Sequence, residues 1–305
     1  MKLNYKIIIL IAIVAGMVQS CKKYLDITPD NVATIDYAFR NRNEAENYLF
    51  TCYSTLQNMV PSNNDAAFTT SGEIYFPNTL TEATLGNREA EQGFHLIRGV
   101  QNTDNPSLNY WDGEQLGQPI FKAIRRCNIF LENISKPKDL PQFERNRWIA
   151  EVKFLKAYYH FYLLRMYGPI PLIKDNLAID AGTEEVRVKR EPVDACFQYI
   201  TSLLDEATPD LPRTIQDPAQ SLGRITQLIS LTLKAEILTT QASPLFNGNR
   251  DYASFKDKDG VNLFPAAFQA EKWSKAMLAC QEAVKACEQS NMSLYHFVSP
   301  GNLPT

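Results

Sequence analysis

The chain has 305 residues and a formal net charge of −3, from 31 Lys and Arg against 34 Asp and Glu. Hydrophobic residues make up 45% and charged ones 21%, the balance of a globular protein that buries a core. No basic surplus points to nucleic acid or anionic lipid as a partner.

The first elements read as a targeting segment. Lys2 and Lys6 precede an apolar run from Ile7 to Val18. That run is too short to span a hydrocarbon core of about 30 Å as a helix. A basic start, a short apolar middle and a small-residue end make a secretory signal, to be set aside from fold reasoning. The run closes on Val18-Gln19-Ser20-Cys21, which resembles a lipobox, with Gln19 where a small or aliphatic residue is commoner. Residues 1–20 are therefore expected to be removed, leaving an acylated Cys21 as the membrane anchor. Five cysteines remain, Cys52, Cys127, Cys196, Cys280 and Cys287, in odd number and without a CxxC pair. They are expected as buried free thiols. His95, His160 and His296 show no metal-ligand spacing, so neither a metal nor a cofactor is expected.

Beyond an extended lead, Ala45, Tyr48, Leu49, Cys52 and Leu56 recur at helical steps and predict a helix over about 43–58. Residues 61–112 differ in character: rich in Asn, Thr, Gly and Pro, with scattered aromatics and no long apolar period. A connection of that length inside a compact domain suggests function. Further helices are predicted at Leu116 onward through Leu131, at about Phe143–Tyr167, Val193–Glu206, Ile225–Gln241 and Ala270–Gln289. Trp148, Val152, Leu155, Tyr159, Tyr162 and Met166 share one face of the longest. Phe154, Tyr158, Tyr159, Phe161 and Tyr162 are expected in the core, and Glu151 and Lys153 are expected to serve helix packing and surface charge. Gly168-Pro169-Ile170-Pro171 stops that helix, because a proline supplies no backbone donor.

Leu155-Lys156-Ala157 recurs as Leu233-Lys234-Ala235, and helix starts recur at a comparable interval. The expected fold is all-α, an α-solenoid-like stack of tetratricopeptide-like hairpins decorated by long loops. Small alanines in the repeat would let antiparallel helices approach closely.

Several stretches then carry a resemblance. Cys21-Lys22-Lys23-Tyr24-Leu25-Asp26, Phe121 to Asn128, Ala150 to Tyr159 with Tyr167 to Leu172, and Gly223-Arg224-Ile225-Thr226 through Ala235-Glu236 to Phe246 follow one another in order. Together they resemble the RagB/SusD-like family, nutrient-binding outer-membrane lipoproteins of Bacteroidetes. The resemblance implies a non-enzymatic protein on the outer face of the outer membrane. It implies capture of glycans, or of peptides in some branches, and delivery to a SusC-like TonB-dependent β-barrel transporter. Family chains are usually longer, so 21–305 is expected to be an N-terminal portion with an unpartnered last helix exposing an apolar stripe.

Glycan capture needs flat apolar faces beside hydrogen-bonding groups. The 61–112 region offers both, and Tyr75, Phe76, Asn78, Asn87, Arg88 and Phe94 are the candidate ligand contacts. Trp111 is expected to be structural. Two other readings stay open: a lipid-anchored tetratricopeptide-like scaffold for envelope proteins, and an anchored glycoside hydrolase. No Gly-x-Ser-x-Gly elbow, phosphate loop or His-Glu-x-x-His supports the last.

Overall fold

The structure is a computed structural model, and it describes residues 35–57, 70–73, 93, 95–114 and 117–295. Among these residues it is helical. The only β pairing there is two isolated bridges, Asn109 with Glu114 and Lys256 with Asn262. Six helices exceed two turns: α1 (Arg42–Tyr53), α2 (Ile120–Asn133), α3 (Gln142–Tyr167), α4 (Val193–Ala207), α5 (Gln227–Ala242) and α6 (Ala270–Glu288). Single helical turns lie at Ile35–Ala38, Thr183–Val186 and Pro218–Ser221. Along the chain each long helix packs on the next, and α1 also reaches α3. No helix among the described residues is long and apolar enough to cross a membrane.

Local chemistry sets the helix ends. Asn41 caps α1 by accepting a hydrogen bond from the Glu44 amide at 3.0 Å. Helix α1 stops at Tyr53, five residues before the apolar period predicts. There the Ser54 hydroxyl donates to the Thr51 carbonyl at 2.8 Å, a local bond that competes with helix continuation. Thr226 caps α5. Gly168 ends α3 at a positive φ of 69° that other residues avoid, as the Gly-Pro stop predicts.

Helix α3 is the central column. Trp148, Val152, Leu155, Tyr159, Phe161, Leu163 and Leu164 are all buried, on every side of the helix, which marks one enclosed by neighbours rather than lying on a surface. Two expectations shift here. Tyr158 is only partly buried and donates its hydroxyl to Gln57 Oε1 at 3.0 Å. Met166 is exposed, because the last turn of α3 runs past the core.

Packing between α5 and α6 follows the small-residue rule. Ala235 meets Ala279 and Ala283, with Leu231 and Leu238 alongside. The opposite side of α6 exposes Trp273, Met277, Leu278 and Val284. The same geometry corrects the cysteine reading in part. Cys52, Cys127 and Cys196 are buried free thiols, but Cys287 is half-exposed and Cys280 is exposed at the rim of the α5–α6 contact, its Sγ 3.8 Å from the Thr239 hydroxyl.

Glu151 departs furthest from expectation. Its side chain is fully buried. Arg224 donates to it through Nε at 3.2 Å and Nη2 at 3.0 Å, Arg147 through Nε at 2.8 Å, and the Tyr53 hydroxyl at 2.8 Å. Burial first, then the Glu151 charge, pushes the Tyr53 hydroxyl far above its ordinary pKa, so it stays a donor. Arg224 also approaches Glu46 at 3.6 Å, and Arg42 joins Glu46 at 3.0 Å to Glu144 at 2.7 Å. Alternating charges thus sew α1 to α3 and to the entry of α5. Lys153 does meet the surface expectation, pairing with the exposed Glu206 at 2.7 Å.

His160 is a core histidine. Its Nδ1 donates to the Lys156 carbonyl at 2.7 Å, and its ring meets Tyr199 edge-on at 5.3 Å. Burial pushes its pKa down to about 4.

Two predictions follow from this core. Glu151→Ala leaves two arginines without their shared anion, and truncating one partner of a buried pair costs roughly 3–5 kcal/mol. Urea unfolding should show that loss, and a loss below about 1 kcal/mol would refute the central role of the cluster. For His160, the folded pKa of about 4 lies below the ordinary 6.5. Between those values the unfolded chain binds the extra proton, so stability rises with pH across this window, by on the order of 3 kcal/mol. His160→Gln should flatten that part of the stability–pH curve; an unchanged slope would show that other groups produce it.

Candidate functional site

An open cleft of about 690 Å³ lies among the described residues. Three segments form it: the loop leading into α2, the outer side of α2, and the chain leaving α3. Each is fixed by identifiable bonds.

The α2 entry is a compact turn built on Asn109. Its Oδ1 accepts from the Trp111 and Asp112 amides, each at 3.1 Å, and its Nδ2 donates to Asp112 Oδ2 at 3.3 Å. Gly117 lies so close to this turn that an added Cβ would sit 2.1 Å from the Asn109 carbonyl, so no larger residue fits. The Tyr110 amide donates to the Tyr167 hydroxyl at 2.9 Å, tying the turn to the end of α3. Trp111 is held edge-on by Phe121 at 4.7 Å and by Tyr167 at 5.5 Å, while the Arg190 guanidinium lies 5.5 Å from its ring centre. The indole is half-buried, and it lines the cleft beside Phe121.

Opposite runs the 171–177 segment. Two buried polar side chains hold it down: Asn128 Nδ2 donates to the Ile173 carbonyl at 3.4 Å, and the Lys156 ammonium donates to the Lys174 carbonyl. Burial pulls the Lys156 pKa below its ordinary value. Leu172, Ile173 and Leu177 give this wall an apolar surface. Val186 and Val188 continue the lining. Arg190 clamps that stretch by donating to the Tyr167 and Pro169 carbonyls at 3.2 and 3.0 Å, and Lys189 reaches Asp257 and Asp259 at 3.1 and 2.9 Å.

Polar groups border this apolar floor. Lys122, Arg125 and Lys174 line it, as do Asp112 and Asp175. Asn176 also lines the cleft, and its Nδ2 is buried without a hydrogen-bond partner. A flat aromatic beside hydrogen-bonding groups is the arrangement that a sugar ring, apolar on its C–H face and polar at its edge, requires.

Tyr75, Phe76, Asn78, Asn87, Arg88 and Phe94 lie outside the described residues, as does Cys21. Trp111, from the end of the same loop-rich region, combines its expected structural role with a place in the cleft. Sequence reasoning missed Lys122, Arg125 and the 171–177 wall. The basic pair is three residues apart, a helical step that reads as one solvated face, and the wall carries no periodic signal.

Comparison with known proteins places this architecture. Residues 23–232 match the SusD-like_3 family model, described as starch-binding associating with outer membrane. SusD-like protein P25 of Formosa agariphila is 21% identical over 224 residues, 72% of this chain and 40% of that protein. Starch-binding protein SusD of Bacteroides thetaiotaomicron is 23% identical over 259 residues, 81% of this chain and 43% of that protein. The solved structure of BT4246 superposes with a TM-score of 0.65 at 26% identity, covering 82% of this chain and 40% of that one. The chain thus spans about two fifths of the length of the curated relatives it matches. It belongs to the SusD-like family.

Proposed function

We propose that this SusD-like chain captures glycans at the outer surface of the outer membrane and passes them to a SusC-like TonB-dependent β-barrel transporter, without chemical turnover. The single observation that carries the reading beyond family membership is the cleft, where half-buried Trp111 and Phe121 stand beside a buried, unpaired amide donor on Asn176. Stacking on such a ring is worth about 0.5–1.5 kcal/mol beyond the area it buries. The names of the relatives, starch-binding among them, favour a carbohydrate over a peptide.

Tyr75, Phe76, Asn78, Asn87, Arg88 and Phe94 belong to the proposal as further sugar contacts, since they combine aromatic faces with amide and guanidinium donors. The succession of helices, each packed on the next, supports an α-solenoid-like stack of tetratricopeptide-like hairpins. In this reading residues 1–20 are the signal, 21–305 the helical body, and acylated Cys21 the tether. A tether beside the barrel raises the effective concentration of the binding surface there.

Calorimetric titration of the purified protein against a glycan library should reveal a bound class, and Trp111→Ala should weaken it about tenfold while also lowering the thermal midpoint, since the indole packs on Phe121 and Tyr167; Trp111→Phe, which keeps an aromatic ring there, should retain most of both. Binding of protein partners alone, with no glycan retained, would favour the scaffold reading. Turnover of any bound glycan would favour the hydrolase. The anchor has its own measurement: cells fed radiolabelled palmitate should label the wild-type chain and not Cys21→Ala, and equal labelling of both would refute acylation at that residue.

A further inference from the structure

We propose that the cleft selects glycans bearing anionic substituents, carboxylate or sulfate, over neutral ones. This inference rests on the glycan-capture reading of the same cleft and adds the class of ligand.

The argument is one of charge left over. Elsewhere in the described structure several cations at helix contacts are matched by carboxylates: Arg42 with Glu46 and Glu144, Lys153 with Glu206, Arg165 with Glu236, Arg224 with Glu151, Lys272 with Asp194. At the cleft this pattern fails. Lys122 and Arg125 lie on one outer turn of α2, and Lys174 lies on the facing wall. Among the described residues none of these three makes an ion pair, and all are exposed; the Lys174 ammonium has only the Tyr199 ring, 5.5 Å away at its centre, as a neutral partner. Two carboxylates share the lining. Asp112 is engaged in its own turn by Asn109 Nδ2 at 3.3 Å, and Asp175 is carried on the 171–177 wall. The lining charge is therefore positive, on a chain whose net charge is −3.

The neutral polar group points the same way. Asn176 Nδ2 is a buried donor with no acceptor. Ammonium, guanidinium and amide N–H groups together make a cleft rich in donors, and its natural complement is a ligand rich in acceptors. A carboxylate or sulfate oxygen accepts several bonds, and a guanidinium fork matches either anion in bidentate fashion. Apolar walls sharpen the attraction, because charge pairs beside low-dielectric surface are less weakened than those in open water. A neutral glycan gains the same stacking on Trp111 without meeting the three cations.

A glycan array carrying uronate oligosaccharides, sulfated galactans, neutral glucans and neutral galactans tests the proposal on the full chain. The expected hits carry uronate or sulfate, the two arms telling the anions apart. Their affinity should fall at least tenfold between 50 and 500 mM salt on the order-of-magnitude expectation for screened charges. The K122A/R125A/K174A variant, altered only at exposed positions, should keep its thermal midpoint and lose at least tenfold in affinity for those hits. Neutral hits with salt-independent affinity, unchanged in the variant, would overturn anionic selectivity and leave glycan capture standing. Absence of every glycan from the hits would overturn both.

Discussion

A carboxylate with no exposed surface sits at the centre of this fold, and the arrangement of three helices depends on how it is satisfied. Moving one such ion out of water costs several kcal/mol. Glu151 offsets that cost with donors from Arg224, Arg147 and Tyr53, so the charge is tolerated only when α1, α3 and the entry to α5 are all in place. Tyr53 closes the loop by accepting from the Ile225 amide at 3.4 Å while donating to Glu151. Such a cluster adds little net stability over a well-packed apolar core. It does penalise wrong arrangements, since any slip of α5 against α3 strands a buried anion. Apolar packing along α3 tolerates small shifts; the ion cluster does not.

This division explains what the sequence could reveal. Helix starts at Ile120, Gln142, Val193 and Ala270 fall within a few residues of their apolar periods, because the core sets that period. Glu151 was not legible as buried. Its helix is apolar on nearly every side, and one glutamate in such a run reads as the solvated position. One counter-ion, Arg147, is a local i,i+4 partner that suits a surface pair equally well, and the other, Arg224, lies 73 residues away in chain number, beyond any local pattern. Yet Glu151 and Arg224 both fall within the stretches through which the chain resembles its family, as do Gly168 and the Asn128 that holds the 171–177 wall. Those stretches are where the fold is sewn together. They therefore identify the family well and say little about the ligand.

The cleft was poorly legible for a complementary reason. Its members come from three separated segments, and where these carry a periodic or family signal that signal marks the helix and the fold, not the cleft. Only Trp111 was visible beforehand, and its structural role hid its second one. The same indole packs against Phe121 and Tyr167 and still lines open space. Cys280 and Cys287 illustrate the same limit on α6: helical spacing assigns a residue to a face, but the neighbour that would cover that face lies elsewhere in the chain.

Rigidity connects the two regions. Buried Lys156 and Asn128 spend their donors on the Ile173 and Lys174 carbonyls, and Arg190 spends its own on Tyr167 and Pro169. These bonds leave the side chains of the 171–177 wall free while its backbone is fixed. A ligand that enters then orders few protein groups, and less of its interaction energy is lost to immobilising the site. The cations that are buried or clamp the backbone thus have partners inside the protein, whereas Lys122, Arg125 and Lys174 at the cleft make no ion pair, Lys174 resting 5.5 Å from the Tyr199 ring centre. With no carboxylate bound to them, these exposed cations keep their charge for a partner outside the chain.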